Sequence, residues 1–406
     1  MPPQFTPTSL YEPTMVTDFR DPQVNNTNAN KPQVDPQLKW LEPAIAPFVT
    51  LLANKKNQLP DVANPRHSWY KKYPLPNVVQ NGPNTYTSAD ATIVLQAGDG
   101  VKIGVDFTLF NIRTEERIRV SAAPTGDSTP VVRNIGGSGG VGINPGDTFF
   151  ILGPTKEDGS GIGPMKSTLV VEDFNYPEIT RTPFGLTGRM LNTERWIGND
   201  MEETQREAWH EHAKRLERKY FYGVRHFGTG VGGRGQNHMG GLADFVRTNV
   251  FDLNGNQLTQ TSFNDFANEV FKYGGGGFIG GSAEPMKLMF GSRALFQHVT
   301  DWAGEFVRYG QTDGRVGMKI KEIQTAVGII KLFPSAVFDT VPELRNQAFI
   351  VDINEIGAAN YRGRATRLLS DRQAPDVDAR EWEYFTDQTL EIAMEEAHGR
   401  ILNMGF

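Results

Sequence analysis

Residues 199–222, NDMEETQREAWHEHAKRLERKYFY, have the pattern of one long amphipathic helix. Asn199 can cap the first turn, which is acidic, and basic residues gather in the last turns, an order that complements the helix dipole. Gly223 follows and is expected to supply a left-handed cap. The sequence predicts a helix about 36 Å long. Its apolar stripe consists of Trp209, Ala213, Leu216 and Tyr220.

The chain on either side of this helix is rich in extended segments that contain glycine and proline. Its 406 residues include 43 Gly and 25 Pro, and only 38% are hydrophobic. A single core of this length normally contains more apolar residues. We therefore expect arms, loops and β-excursions that bury their surfaces against other copies of the chain, as in an assembly subunit.

Composition also excludes several classes of protein. Cysteine is absent, which rules out disulfides, zinc–thiolate sites and cysteine nucleophiles. The start, MPPQFTPTSL, lacks the basic and apolar regions of a signal peptide, so none is expected. Apolar runs are too short to span a membrane. The net charge of −6 provides no strong basic field for nucleic acid.

Residues 1–40 are polar and rich in proline and asparagine, so they cannot form a core of their own. A flexible tail is one interpretation. The alternative is an arm that becomes ordered on a neighbouring subunit. Spaced apolar anchors, which pure linkers usually lack, support the arm: Phe5, Tyr11, Met15, Phe19 and Val24.

Residues 92–153 have the pattern of a small β-domain. Turn sequences GDG, PTGDS, GGSGG and NPGD punctuate this segment, which predicts a barrel or sandwich of five short strands. The predicted strands are IVLQ (93–96), VKIGVDF (101–107), RIRVSAA (117–123), VVRNI (131–135) and DTFFIL (147–152). The flanking segments, 66–90 and 164–186, have extended character. Together they predict a long two-stranded excursion that carries the β-domain as an insertion.

The remaining segments predict a mixed α+β body. Helices are expected at 41–57, ending near Asn54, at 262–273, capped by Ser262, and over RALFQHVTDWAGEF. Strands are expected over KLMFGS, 318–338 and 345–353. The Gly-rich segments 225–241 and 274–281 are expected to be a mobile loop and a hinge.

Few motifs could carry chemistry. Gly228-x-Gly230-x-x-Gly233 spells a dinucleotide fingerprint, but it follows a helix and opens none, so a loop is favoured. His210 and His212 would lie about 200° apart on a helix and cannot share a metal ion. We predict no catalytic, cofactor-binding or metal-binding residues. The other five histidines show no ligand spacing: His67, His226, His238, His298 and His398.

The sequence HSWYKKY, residues 67–73, is both basic and aromatic. Such a strip could bind single-stranded nucleic acid by stacking and charge. A solvated loop whose aromatic residues dock on another surface is the favoured interpretation.

The order of these parts resembles the major capsid protein of tailed bacteriophages of the Hong Kong 97 type. The resemblance covers nearly the whole chain and rests on an ordered set of segments. These are HSWY (67–70), ETQREAWHEHAKRLERKYFYG (203–223), HMGGLADFVRTNV (238–250), AFIVDINEIGAANYRGRATRLLSD (348–371) and WEYFTDQTLEIAMEEAHGRILNM (382–404).

The resemblance implies an α+β Hong Kong 97-type fold with seven parts. An N-terminal arm and short helix (1–65) are followed by an outgoing extended loop (66–91), an inserted β-domain (92–158) and a returning loop (159–190). A peripheral domain (191–230) with the spine helix 199–222 then leads to an axial domain (231–335). Residues 336–406 return through the peripheral domain to a C-terminal strand.

The resemblance also implies a function. The chain would be a structural virion protein, not an enzyme, that assembles in the host cytoplasm as hexamers and pentamers into an icosahedral head shell. It would need no cofactor and no membrane. Further partners would be a separate scaffolding protein, a portal, an optional decoration protein and packaged DNA, contacted non-specifically. Assembly contacts are expected at Phe5, Tyr11, Phe19, Trp69, Tyr70, Tyr73, Trp209 and Tyr220.

Several alternatives stay open. An encapsulin-type cellular compartment has the same fold, but the inserted β-domain and the polar arm favour the phage shell. The long capped helix argues against a virion cement or decoration protein. The only feature that supports an enzyme is the Gly-rich loop. Lys71, Lys72 and Lys166 lie where some family members form a crosslink, but no partner asparagine can be identified, and no crosslink is predicted.

Overall fold

The computed structural model describes residues 46–53, 58–137, 141–161, 166–193, 199–273, 285–303, 307–309, 321–325 and 327–405. The predicted arm, 1–40, and the predicted hinge, 274–281, lie outside these ranges.

Helices and strands are mixed along the described chain, which confirms the predicted α+β class. Helices α1 to α8 are, in order, Pro47–Leu52, Gly188–Leu191, Asp200–Tyr222, Leu242–Phe245, Gln260–Phe271, Arg293–Ala303, Ala336–Asp339 and Pro342–Arg345. Strands β1 to β21 are, in order, His67–Lys72, Val78–Gln80, Thr92–Val94, Phe107–Asn111, Arg117–Val120, Ser128–Val132, Thr148–Pro154, Val170–Asn175, Glu178–Thr187, His226–Thr229, Gly235–His238, Val250–Asp252, Met286–Gly291, Val307–Tyr309, Lys321–Thr325, Gly328–Pro334, Ala348–Val351, Ile356–Asn360, Arg367–Leu369, Ala379–Ile392 and Gly399–Leu402.

Contacts within the described chain divide it into two compact units. The first, which we call the body, contains the residues up to His67 and from Asn175 onward. The second, which we call the insert, runs from Ser68 to Phe174. The predicted β-domain, 92–158, lies wholly within the insert.

One layer of the body is a seven-stranded sheet in the order β12-β21-β17-β13-β16-β15-β14. Strand β13 is parallel to β16 and antiparallel to β17, so the sheet is of mixed direction. The apolar faces of α5 and α6 belong to the same buried cluster as this sheet. That cluster includes Phe263 and Val270 of α5, Leu295 of α6, and Met289 and Ile330 of the strands.

A second sheet of the body supports the long helix α3. Strand β20 pairs with β9, β18 and β19, and its pairing with β9 runs over ten residues, Glu178–Gln388 to Thr187–Ala379. Three members of the predicted stripe, Ala213, Leu216 and Tyr220, are buried, whereas Trp209 is 44% exposed. The stripe prediction is therefore confirmed except at its first residue.

The two ends of α3 differ in how well they follow the prediction. At the start, the Asn199 side chain accepts a hydrogen bond from the backbone N–H of Met201 at 3.0 Å, which confirms the predicted cap. At the end, Gly223 has φ −59° and ψ 150°, so the predicted left-handed cap is wrong. A Cβ at this position would lie 2.3 Å from the carbonyl oxygen of Met239. Glycine is needed here because another backbone segment approaches closely.

The insert contains five strands within 92–153, as predicted, but two of them are displaced. The segment predicted as a strand over 101–107 contains part of a 3-10 turn, Gly100–Lys102, and the strand is Phe107–Asn111. The strand predicted over 131–135 is Ser128–Val132. A sixth strand, β2, joins them, and the sheet order is β2-β7-β4-β5-β6-β3. Its core consists of alternating side chains that are almost fully buried, as expected for small β-domains. They include Ile93, Leu109, Ile118, Val131 and Phe149.

The pairing of β1 with β8 confirms two-stranded character within the predicted excursion, whereas the solvated loop predicted over 67–73 is wrong, since residues 67–72 form strand β1. A second loop prediction is also wrong. Residues 226–238, within the predicted mobile loop, form the antiparallel hairpin β10–β11. Gly230 and Gly233 make its turn, in which the Gly233 N–H donates to the Gly230 carbonyl oxygen at 2.9 Å.

Two element boundaries also differ from prediction. Helix α5 is capped by Thr259, and Ser262 is the third residue of a capping box instead of the cap. The segment 318–338, predicted as strand, contains two antiparallel strands, β15 and β16, and its strand character ends at Pro334 because Ala336–Asp339 forms helix α7 with Ser335 as its cap. A short apolar run does not by itself distinguish a strand from a buried helical turn.

Candidate assembly surfaces

The two-stranded pair β1–β8, which we call the ribbon, presents exposed apolar side chains in the insert. Val170 and Val171 are 56% and 48% exposed, and the preceding Leu169 is 86% exposed. Successive residues of a strand point to opposite faces, so both faces of β8 present an exposed valine. Two-stranded pairs are marginal alone in water, and exposed apolar patches mark interaction sites. The ribbon is therefore a candidate contact surface.

Some side chains of strand β1 are exposed and others are buried. Tyr70 is 72% exposed, whereas Trp69 is 6% exposed. The Lys71 ammonium lies 2.9 Å from the Asp173 carboxylate and is buried, so this lysine is held in an ion pair across the ribbon. Lys166 donates to the backbone carbonyl oxygens of Val101 and Ile103. Burial lowers the pKa of the Lys166 ammonium.

The residues predicted for assembly contacts have different environments. Tyr70 and Tyr73 are exposed, as a contact residue requires, and Trp209 is 44% exposed. Trp69 and Tyr220 are buried within the chain. Phe5, Tyr11 and Phe19 lie outside the described residues.

Trp209 is one of the residues that line a groove of about 600 Å³ in the body. Its ring packs on that of Tyr384 with centroids 5.2 Å apart. The groove is bounded by α1, α3 and β18, and its lining is mainly apolar, including Leu52, Leu216 and Ala358. It opens beside Ala46, close in sequence to the predicted arm.

The hairpin β10–β11 is the second exposed apolar feature of the body. Phe227 is 60% exposed, and Val231, in the turn, is fully exposed. The GxGxxG spelling lies in this hairpin, so it follows a helix and opens none. Dinucleotide fingerprints require a strand-to-helix turn at that place.

His212 is a buried residue of α3 that faces the second sheet and has a structural role. Its ring nitrogens lie 3.0 Å from the Thr182 hydroxyl and 2.7 Å from the Thr386 hydroxyl. Burial, together with Arg215 and Lys219, lowers the pKa of His212 to about 4. It is therefore neutral at physiological pH and links α3 to strands β9 and β20.

Glu217 is a buried carboxylate that the sequence analysis missed. Its side chain is fully buried on α3, where it accepts hydrogen bonds from the Phe48 backbone N–H at 3.2 Å and from the Ser335 hydroxyl. It thus joins α1, α3 and the start of α7. Burial raises the pKa of Glu217 to about 7, although its hydrogen bonds to Ser335, Val49 and Phe48 oppose that shift. Its position four residues after Ala213 and three before Tyr220 could have placed it beside the buried stripe.

Two features are absent from the described residues. No group of three or more His, Cys, Asp or Glu side chains is placed to hold a metal ion there. Among the helices in the same part of the chain, none is long and apolar enough to cross a membrane.

Comparison with known proteins gives one match to a family. A family model described as SU10 major capsid protein matches residues 21–405. No curated protein matches the sequence.

Solved capsid structures resemble the chain more weakly. The capsid of cyanophage A-1(L) is 10% identical, with 93% of this chain and 98% of that chain covered and a TM-score of 0.49. The structure of Mycobacterium phage Adephagia is 9% identical, covers 95% and 98%, and has a TM-score of 0.48. An encapsulin from Synechococcus elongatus is 10% identical, covers 59% and 78%, and has a TM-score of 0.42. Because these scores are all below 0.5, the family match alone carries the assignment.

Proposed function

Because the chain belongs to the SU10 major capsid protein family, we propose that its hexamers and pentamers close the icosahedral head shell of a phage virion. Membership confirms the major capsid protein predicted from the sequence and makes the chain a structural component of a capsid. The observation that carries the proposal is the extent of the match, which spans residues 21–405. It favours the phage shell over the encapsulin, cement-protein and enzyme alternatives.

The exposed ribbon supports assembly through contacts between copies. In a closed ring, each head-to-tail contact joins one surface of a subunit to a different surface of its neighbour. The exposed side chains of Tyr70, Leu169, Val170 and Val171 would then be buried. The body would form the shell, and the ribbon would link neighbouring subunits.

The arm and the outside partners extend this proposal. Residues 1–40 would lie on a neighbouring subunit, anchored by Phe5, Tyr11 and Phe19. A separate scaffolding protein would guide closure in the host cytoplasm, a portal would occupy one vertex, and a decoration protein could bind outside. The acidic chain, with a net charge of −6, would contact packaged DNA without sequence specificity.

Replacing both ribbon valines, Val170→Ser and Val171→Ser, should impair assembly without unfolding the subunit. Full burial of a valine contributes about 1.5–3 kcal/mol, and about half of each side chain remains to be buried here. The pair should therefore weaken each contact by about 2 kcal/mol, which is more than tenfold in association. The measurement is the assembled fraction against protein concentration, by sedimentation velocity under conditions where the wild type assembles.

The matched control is Val101→Ser, since Val101 is 78% exposed in the insert but lies outside the ribbon. It should assemble like the wild type. Equal assembly of the ribbon variant and the wild type would remove the ribbon from the proposal. An equal loss in the control would show a general effect of exposed valines instead.

A further inference from the structure

The hairpin β10–β11 brings together two histidines that are twelve residues apart in sequence. His226 and His238 are directly opposite partners in its antiparallel register. Their ring centroids are 6.0 Å apart and their planes make an angle of 37°. Side chains of directly opposite residues lie on the same face of a strand pair. This pairing cannot be found from sequence spacing, which shows no ligand pattern for these histidines.

We propose that His226 and His238 form a two-imidazole binding site for a divalent transition-metal ion. An imidazole nitrogen binds such ions at about 2.0–2.1 Å, so two rings on one ion have their centres about 5–6 Å apart. The observed separation is at the upper end of this range, and small side-chain rotations would bring a nitrogen of each ring to a shared ion.

The surroundings of the pair leave room for an ion. His226 is exposed and His238 is half-buried, so solvent reaches the site. The His226 Nε2 atom lies 3.0 Å from the place where a Cβ of residue 228 would stand, and glycine at that position leaves the face open. Gln236, the register partner of Gly228, is two residues from His238 and shares its face.

Arg225, the charged residue next to His226 in sequence, does not lie on the face that carries the two histidines. Arg225 precedes His226 and points to the opposite side of the strand. Its guanidinium lies over the Phe245 ring, 5.2 Å from the centroid, and its backbone N–H donates to Asp244 at 2.9 Å. Repulsion between this arginine and a bound cation is therefore reduced.

The ligand set indicates which ions fit. The described residues hold no group of three or more His, Cys, Asp or Glu ligands, so water would complete the coordination. Imidazole ligands suit copper, nickel and zinc, and among divalent first-row ions Cu²⁺ binds a given nitrogen site most tightly. A pair of water-completed imidazoles should bind Cu²⁺ more strongly than any single exposed histidine of the chain.

The test is titration of the full chain with Cu²⁺ at pH 7.5, followed by calorimetry, with electron paramagnetic resonance of the bound ion. The wild type should show one strongest site with two coordinated nitrogens. His226→Asn and His238→Asn should each weaken that site at least tenfold and leave one-nitrogen binding. His210→Asn, on α3 and away from the hairpin, should match the wild type.

Circular dichroism would establish that each variant is folded. A strongest site that survives in either hairpin variant, or that is lost equally in His210→Asn, would overturn the proposal. Because binding is measured on the subunit, its failure would leave the capsid assignment unchanged.

Discussion

Replacing Arg133 with methionine should destabilise the insert by about 3–5 kcal/mol. The Glu116 side chain is fully buried, and Arg133 Nε and Nη2 donate to its two oxygens at 2.8 and 2.6 Å. Arg133 also donates to the Thr87 carbonyl oxygen at 2.7 Å. The substitution removes one partner of a buried ion pair and leaves a buried carboxylate without its counter-charge. Such a loss is strongly destabilising.

The loss should appear as local opening of the insert sheet. Amide hydrogen exchange of peptides covering β4, β5 and β6 should accelerate about a hundredfold to a few thousandfold. Adding Glu116→Gln to the variant should recover part of the loss, because the remaining group is then neutral. The control is Lys156→Met, which breaks the partly exposed Lys156–Asp106 pair at 2.9 Å and should cost at most about 1 kcal/mol. Indistinguishable exchange in Arg133→Met and Lys156→Met would contradict this account of the insert.

Glu217→Gln should stabilise the body at pH 7.5 and have little effect at pH 4.5. The carboxyl has a pKa of about 7 in the folded chain against an ordinary value of 4.5, because its charged form is buried. Between these values the folded state binds more protons at Glu217 than the unfolded state does. The stability that this group contributes is therefore full below pH 4.5 and is lost as pH rises to about 7.

The size of the effect follows from the difference between the folded and the ordinary pKa of Glu217. A difference between 4.5 and about 7 corresponds to a stability change of order 3 kcal/mol. Glutamine keeps an oxygen to accept from the Phe48 N–H and has no charge to bury, so the pH dependence due to this site should disappear. The measurement is the free energy of unfolding from urea titrations at pH 4.5 and 7.5.

Glu211→Gln provides the matched control, because Glu211 lies on the same helix and its side chain is 38% exposed. It should not reproduce the gain in stability at pH 7.5. A Glu217→Gln variant that is less stable than the wild type at pH 7.5 would show that the buried charge is net favourable, contrary to this account.

Local sequence patterns predict those helices and strands whose conformation is determined by their own residues. Helix α3 follows from its periodicity, its Asn199 cap and its acidic-to-basic order, and the structure confirms its start and end within one residue. The number of strands in the insert follows from apolar stretches between Gly-rich turns, although two of the strands are displaced from those stretches. In both cases neighbouring residues along the chain contain much of the signal.

The misses depend on contacts that are distant in sequence. The hairpin β10–β11 was predicted as a loop because glycines dominate its sequence and glycine weakens strands. Its pair of histidines becomes visible only once the register is known. Gly223 was assigned a left-handed cap, but its role is set by the Met239 carbonyl, sixteen residues away. Likewise, the partners of Glu217 come from α1 and Ser335.

The most direct test of the central claim, that this chain builds a closed shell, is electron microscopy of the purified full chain with sedimentation as a companion. The chain should be examined alone and after co-expression with the neighbouring structural genes, which would supply a scaffolding protein. The account predicts closed icosahedral particles, or rings of five and six subunits, in at least one of these preparations. A monomer in both preparations, at every protein and salt concentration, would contradict it.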